Sequence, residues 1–199
     1  MPGKRLDGLR VAALVGDGFE QVELTEPMQA LQAAGAEVLI VSPRAGRVRA
    51  WDRDHWGGEF LVDATLDDVR AEDFDAILQP GGVMSPDRLR MDERAVNFFR
   101  AFRVQRKPMA VICHGPWMIV QAGLAEGLTL TSYPSLRTDI RNAGGHWVNQ
   151  EVVECDGVVT SRSPEDLSAF IGQTILQFSR ARRGEKVGGD VPVPPRTFA

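Results

Sequence analysis

Cys113 is the residue whose type and setting best suit chemistry. It lies in Ala110-Val111-Ile112-Cys113-His114-Gly115-Pro116, where an apolar run meets a polar nucleophile and then a Gly-Pro pair suited to a helix start. That is the logic of a nucleophile elbow: a sharp turn pushes the side chain into the cleft above a sheet. A helix that follows would aim its free N–H groups and positive dipole end at the sulfur and favour thiolate. The same amides could hold an oxyanion. A free thiol titrates near pH ~8.5, so such help matters at neutral pH. His114 can either pair with the thiol or splay away from it. The competing reading is a core thiol that ends a strand, but packing alone gives no reason for Cys-His-Gly-Pro there.

Glu20 and Glu23 follow Gly16-Asp17-Gly18 at the end of another apolar run. Three residues apart on a helix, they share a face that could look into the Cys113 cleft. A carboxyl beside a thiolate is pushed toward its protonated form and can then donate to sulfur. The competing reading is a pair of charges that complement a helix N-terminus. Gly81-Gly82 and Asp87-Arg88 come after a third apolar run; they read as part of the cleft or as a plain loop with an ion pair. Tyr133, the only tyrosine, sits in Thr131-Ser132-Tyr133-Pro134-Ser135. It is a candidate for substrate contact, with a surface turn as the alternative. His146 reads as a strand-edge residue, Cys155 as an inert thiol in an apolar strand, and His55 as a structural or interface residue beside Trp51 and Trp56. No His/Cys/Asp group has metal-ligand spacing, and no cofactor is expected.

These residues need a scaffold. Leu9 to Val15 reads as a buried strand. Glu20 to Ala34 carries apolar residues at helical spacing and ends at Gly35. Glu37 to Ser42 completes a strand-helix-strand unit. Residues 44 to 60 break the rhythm with turn residues and read as a hairpin or surface excursion. Phe74 to Leu78 is a third strand, Asp92 to Arg106 a helix, Met109 to Cys113 a fourth strand, and Gly115 to Gly123 the next helix. Val152 to Cys155 and Val158 to Ser161, separated by Asp156-Gly157, read as a hairpin or two short strands. Ser163 to Arg180 is a last helix, with Ser163 as N-cap, Pro164 in the first turn and Asp166 near the positive end. Alternating strands and helices imply a mainly parallel sheet covered on both faces, with ligands at the carboxyl ends of its strands.

The 199 residues suit one α/β domain over residues 1–183 followed by a Pro/Gly-rich tail over 184–199. That tail is a loose segment or an arm laid on a partner subunit. Net charge is −4, which argues against a nucleic-acid partner held by a broad basic field. No apolar run reaches membrane-spanning length, and the polar first ten residues hold no secretory signal, so a cytoplasmic location is expected. Two cysteines are too few for a disulfide framework.

Five blocks occur in order: Asp17-Gly18-Phe19-Glu20-Gln21-Val22-Glu23-Leu24, Phe74-Asp75-Ala76, Gln79-Pro80-Gly81-Gly82, Ile112-Cys113-His114-Gly115-Pro116 and Thr131-Ser132-Tyr133-Pro134. Together they resemble the PfpI-type intracellular cysteine peptidases of the ThiJ/PfpI superfamily, which also holds the parkinsonism-associated deglycase. The resemblance runs from about residue 9 to residue 180. It implies a flavodoxin-like three-layer sandwich, similar to class I glutamine amidotransferases. It implies Cys113 as nucleophile, His114 as its dyad partner, and Glu23 with Glu20 near the sulfur. In peptidase members a glutamate from a neighbouring subunit completes the site. The matching position here is Asp87, after a one-residue insertion that includes Ser85, and its side chain is one methylene shorter. A homodimer or higher oligomer is implied.

Three functions share this one site. A peptidase-like hydrolase would use the Cys113 thiolate on a peptide carbonyl, with His114 moving protons and Asp87 orienting it. A deglycase or glyoxalase would add Cys113 to methylglyoxal or its early adducts, with Glu23 as acid and base and no third acid. A redox sensor would instead let the cysteine oxidise to sulfinate. A glutaminase fits poorly, for want of a His-x-Glu late in the chain. The expectation is a stress-response hydrolase or deglycase.

Overall fold

The computed structural model describes residues 5–185 and residue 187. Of the Pro/Gly-rich tail over 184–199, expected as a loose segment or arm, Gly184, Glu185 and Val187 are described, with Val187 buried; the rest lies outside the described residues.

Seven strands form the main sheet. They are β1 (Arg10–Leu14), β2 (Glu37–Ser42), β5 (Ala64–Thr65), β6 (Ala76–Gln79), β7 (Met109–Ile112), β10 (Val152–Cys155) and β11 (Val158–Ser161). Their order is β10-β11-β7-β6-β1-β2-β5. Every neighbour pair is parallel except β10 with β11. That antiparallel pair is a hairpin closed by Asp156-Gly157. Both turn residues have positive φ, 54° and 85°, as a tight two-residue connection demands.

Side chains alternate between two cores, which makes this a three-layer sandwich. Ala12, Leu14, Ile77, Met109 and Val111 point to one side, against α3 (Glu93–Val104), α4 (Trp117–Gln121) and α5 (Arg137–Asn142). Val11, Ala13, Val15, Leu78, Ala110 and Ile112 point to the other, against α1 (Gln21–Ala33) and α6 (Leu167–Arg182). β7 is buried along its whole length because helices cover both of its faces. Fully burying Met109, Val111 and Ile112 contributes about 1.5–3 kcal/mol each.

The excursion at 44–60 is a hairpin of β3 (Arg47–Asp52) and β4 (His55–Leu61), antiparallel with an irregularity between Arg49 and Trp51. It lies against the segment after β1: Gly18 N donates to Arg49 O and Trp51 N to Phe19 O. Several elements escape the sequence pattern. β5, a two-residue edge, and the small parallel pair β8 (Thr129–Leu130) and β9 (His146–Trp147) are too short to show periodicity. Helix α2 (Met84–Leu89) hides behind Pro86, which sits in its first turn where its missing N–H costs nothing. The helix expected over Gly115 to Gly123 is only the five-residue α4, because Cys113 to Pro116 are taken up by the elbow itself. The last helix begins as a 3-10 turn over Pro164–Asp166, and the Ser163 side chain does not cap it; Asp166 occupies the N-cap position of α6. Among the described residues no helix is long and apolar enough to cross a membrane.

Candidate active site at the Cys113 elbow

Three adjacent strands, β7, β6 and β1, end at the same edge of the sheet, and each carries one part of the site. Cys113 follows β7 with φ of 61°, a left-handed conformation unusual for any residue but glycine. Holding it there costs about 1–3 kcal/mol, which the surrounding packing must offset. The turn is locked on both sides: Cys113 N donates to Ser161 O, and Tyr133 N donates to Cys113 O. Cys113 is 6% exposed.

The loop after β6 passes against the sulfur. A Cβ on Gly81 would come within 2.6 Å of Cys113 Cβ, 2.7 Å of Glu23 Oε2 and 2.9 Å of His114 N. Only glycine fits at that approach. Gly82 has φ of 75°, and a Cβ there would meet Gly18 O at 2.5 Å. The backbone N–H groups of Gly82 and His114 hydrogen bond the sulfur and stabilise negative charge on it.

The first turn of α1, after β1, supplies a carboxyl. Glu23 is fully buried, accepts Gly81 N at Oε2 (2.8 Å), and leaves Oε1 without a hydrogen-bond partner among the described oxygen and nitrogen atoms. Burial pushes its pKa up to about 8, against the pull of the Gly81 N–H and of Cys113. Glu23 thus holds a proton at neutral pH, and that proton needs an acceptor. The Cys113 sulfur is the group the carboxyl faces. Burial raises the thiol pKa as well, and an ionised Glu23 would raise it further. The Gly82 and His114 N–H groups pull the other way, toward charge on sulfur. The sulfur carries charge most readily while Glu23 keeps its proton.

His114 is placed beside the thiol, with Nδ1 3.2 Å from Cys113 Sγ. Burial lowers its pKa to about 4, so the ring is neutral at physiological pH. It lies between two aromatic rings, stacked on Tyr133 with centroids 4.6 Å apart and tilted against Trp117 at 5.3 Å. Its Nε2 lies 3.3 Å from Ser135 Oγ. A hydroxyl, not a carboxylate, meets the far nitrogen, and it can act as donor or acceptor to suit either tautomer. Trp117 is itself fixed: Nε1 donates to Asp139 Oδ2 at 2.9 Å, and the Arg90 guanidinium lies 4.7 Å over its ring.

The remaining candidates separate. Glu20 lies at the start of α1 but turns away from sulfur, its Oε1 accepting Arg53 N at 3.3 Å; burial raises its pKa. It reaches Glu23 only through charge. Asp87 sits on α2, partly exposed, and pairs with Arg90 at 2.6 Å, not with Arg88. Ser85 is buried and accepts Gly16 N at 2.9 Å, tying α2 to the end of β1. His55 is exposed and bonded to Asp54, while Cys155 accepts Thr129 N at 3.4 Å far along the chain from the elbow. Sequence reasoning missed Trp117, Ser135 and Arg90. Ser135 closes the Tyr133-Pro134 turn, and nothing in its local pattern marks it as a histidine partner.

A buried cysteine on a left-handed elbow, over the carboxyl edge of a parallel sheet, with a neutral histidine and a protonated carboxyl beside it, defines a cysteine-centred α/β site of the nucleophile-elbow class. The chain belongs to the DJ-1/PfpI family, whose sequence model matches residues 9–177. It is 43% identical over 164 residues to general stress protein 18 of Bacillus subtilis, covering 82% of this chain and 94% of that one. It is 42% identical over 161 residues to YraA of the same organism, provisionally named a cysteine protease, covering 81% and 93%. It is 40% identical over 167 residues to Deglycase PH1704 of Pyrococcus horikoshii, covering 84% and 98%. Among solved structures, it resembles a two-domain protein from Anabaena variabilis containing DJ-1/ThiJ/PfpI-like and ferritin-like domains. The TM-score is 0.79 at 30% identity, over 92% of this chain. The match spans 50% of that two-domain chain.

Proposed function

We propose that this protein is a cysteine-dependent deglycase or glyoxalase, acting on methylglyoxal or on its early adducts with amines. The observation that carries the reading is the fully buried Glu23 carboxyl, protonated to about pH 8 and facing the Cys113 sulfur. Such a group serves as acid and then as base at one carbonyl without help from a third residue.

The steps balance without an oxidant. As Cys113 attacks the aldehyde carbon, the thiol proton passes to His114 Nδ1, 3.2 Å away. The new S–C bond forms, the carbonyl electron pair moves to oxygen, and that oxygen takes the Glu23 proton. The Glu23 carboxylate then removes the proton from the former aldehyde carbon while His114 passes the thiol proton to the ketone oxygen. Glu23 returns the carbon proton to the adjacent carbon and takes up the hydroxyl proton of the former aldehyde carbon, which leaves His114 neutral and Glu23 protonated again. The aldehyde carbon is thereby oxidised to a thioester while the ketone is reduced to an alcohol. Water, deprotonated by His114, cleaves the thioester, giving a 2-hydroxy acid and the free thiol. For an amine adduct, a carbinolamine, the S–C bond forms at the carbon that bears the amine as the C–N bond breaks. The leaving nitrogen takes the Glu23 proton, and the later steps are the same. Tyr133, stacked on His114, borders the approach, and the Gly82 and His114 N–H groups steady charge at sulfur.

The peptidase reading draws support from the similarity to YraA and from the same Cys-His pair. It asks for an acid on the far side of His114, where Ser135 stands, while Asp87 is held by Arg90. The aldehyde reading needs no residue from a second copy of the chain.

The test is the turnover of methylglyoxal and of a fluorogenic peptide side by side, in wild type and Cys113→Ser. Cys113-dependent loss of methylglyoxal without peptide cleavage is expected. Cys113-dependent peptide cleavage without loss of methylglyoxal would replace this reading with the peptidase one.

A further inference from the structure

We propose that a cleft above the ends of β1 and β2, lined by Arg44, Arg47 and Arg88, is a binding site for a small molecule bearing phosphate. The cleft has a volume of about 550 Å³, within the usual range for small-molecule sites and larger than one inorganic phosphate needs. Its floor is Gly16 and Asp17 after β1 and Ser42 after β2; α2 and the start of α3 contribute Arg88, Asp92 and Arg94. Carboxyl ends of strands in open parallel sheets are where such folds take ligands, at the point where chain connections diverge to opposite sides. That point lies between β1 and β6, and the arginine cleft shares the same carboxyl edge one strand over, above β1 and β2. None of the residues lining the cleft is Cys113, His114 or Glu23.

Charge decides the ligand class. Arg94 is already neutralised by Asp92 and Asp67, at 2.8 and 2.9 Å. Asp17 accepts Arg49 N at 2.8 Å. Arg44, Arg47 and Arg88 are exposed and make no ion pair among the described residues. Three uncommitted guanidinium groups thus face one cleft in a chain whose net charge is −4. A guanidinium presents donors in a planar fork that matches phosphate oxygens, and three of them suit a group with more than one negative charge. The three groups converge on one cleft, which fits a compact anion better than a polymer.

Calorimetric titration of the full chain with pyrophosphate, inorganic phosphate and citrate, at constant ionic strength set by sodium chloride, tests the site. Saturable binding of pyrophosphate, tighter than phosphate or citrate, is expected. Arg44→Gln, Arg47→Gln and Arg88→Gln should each weaken it by about tenfold, and Arg141→Gln, on α5 outside the cleft, should not. Arg88→Lys should recover part of the loss, which a merely structural effect of Arg88→Gln would not predict; Tm in chloride alone checks that each variant folds. Absence of saturable binding, or binding that survives all three substitutions, would overturn the site. Citrate binding as tightly as pyrophosphate would overturn the phosphate assignment.

Discussion

Two loops leave the carboxyl edge of the sheet side by side, after β1 and after β6, and each leads to an acid. The β1 loop feeds Glu23 into complete burial against Gly81 and the sulfur. The β6 loop feeds Asp87 into a half-exposed helix, where Arg90 takes it. A carboxyl without water and without a counter-charge keeps its proton and acts as an acid. A carboxylate paired with arginine near solvent gains only about 0.2–1 kcal/mol from the pair. The two acids are thus suited to different work, and only the first is placed to exchange a proton with the reacting centre.

The largest effect expected is that of Cys113→Ser, which removes the nucleophile that both loops surround. Activity should fall by at least about 10³-fold while Tm is held; kcat/KM with methylglyoxal, read beside a thermal melt, checks both parts. Next comes Gly81→Ala, where the β6 loop presses on the site. The added Cβ has no space beside Cys113, Glu23 Oε2 and the His114 backbone. A stability loss of about 1–3 kcal/mol is expected, together with most of the activity. Gly172→Ala is its control. That glycine lies inside α6, and a Cβ added there would meet nothing within 4 Å, so the substitution should stabilise by about 0.5–1 kcal/mol in a denaturant titration.

pH sharpens the contrast between buried and exposed acids. Glu23 has a folded pKa raised from its ordinary 4.5 to about 8, so its stabilising share is whole below pH 4.5 and is lost as pH rises through 8. His114 has a folded pKa lowered from 6.5 to about 4, so its share is whole above pH 6.5 and is lost as pH falls through 4. Between 4.5 and 6.5 the two slopes oppose each other; between 6.5 and 8 only Glu23 of the two acts. Tm should therefore decline from pH 6.5 to 8 in the wild type, and Glu23→Gln should flatten that decline. An unchanged slope in the variant would show that Glu23 ionises freely in the folded state. The smallest effect is that of Asp87→Asn, for which methylglyoxal turnover should stay within about threefold, as expected for a weak exposed pair.

The parts of this architecture that announce themselves in sequence are those set by local rules. The apolar run Glu37–Ser42 and the Asp156-Gly157 turn match their elements residue for residue, because burial and positive φ leave few alternatives. The Cys-His-Gly-Pro junction marks the elbow for the same reason. What the chain does not display locally is the environment at the end of each side chain. Glu20 and Glu23 lie three residues apart, yet one finds the Arg53 backbone and the other a dry pocket; packing of the Gly81 loop makes that difference. Ser135 and Trp117 reach His114 only after the chain has folded around it. α2 stays hidden because Asp87-Arg88 suggests a pair that the helix, with Arg90 three residues on from Asp87, redirects.

The most direct measurement compares kcat/KM for methylglyoxal in Glu23→Gln and Asp87→Asn. If the buried acid serves the cysteine, Glu23→Gln loses about 100-fold and Asp87→Asn keeps nearly all activity. A large loss in Asp87→Asn with Glu23→Gln close to wild type would contradict the account and give the proton chemistry to the exposed loop.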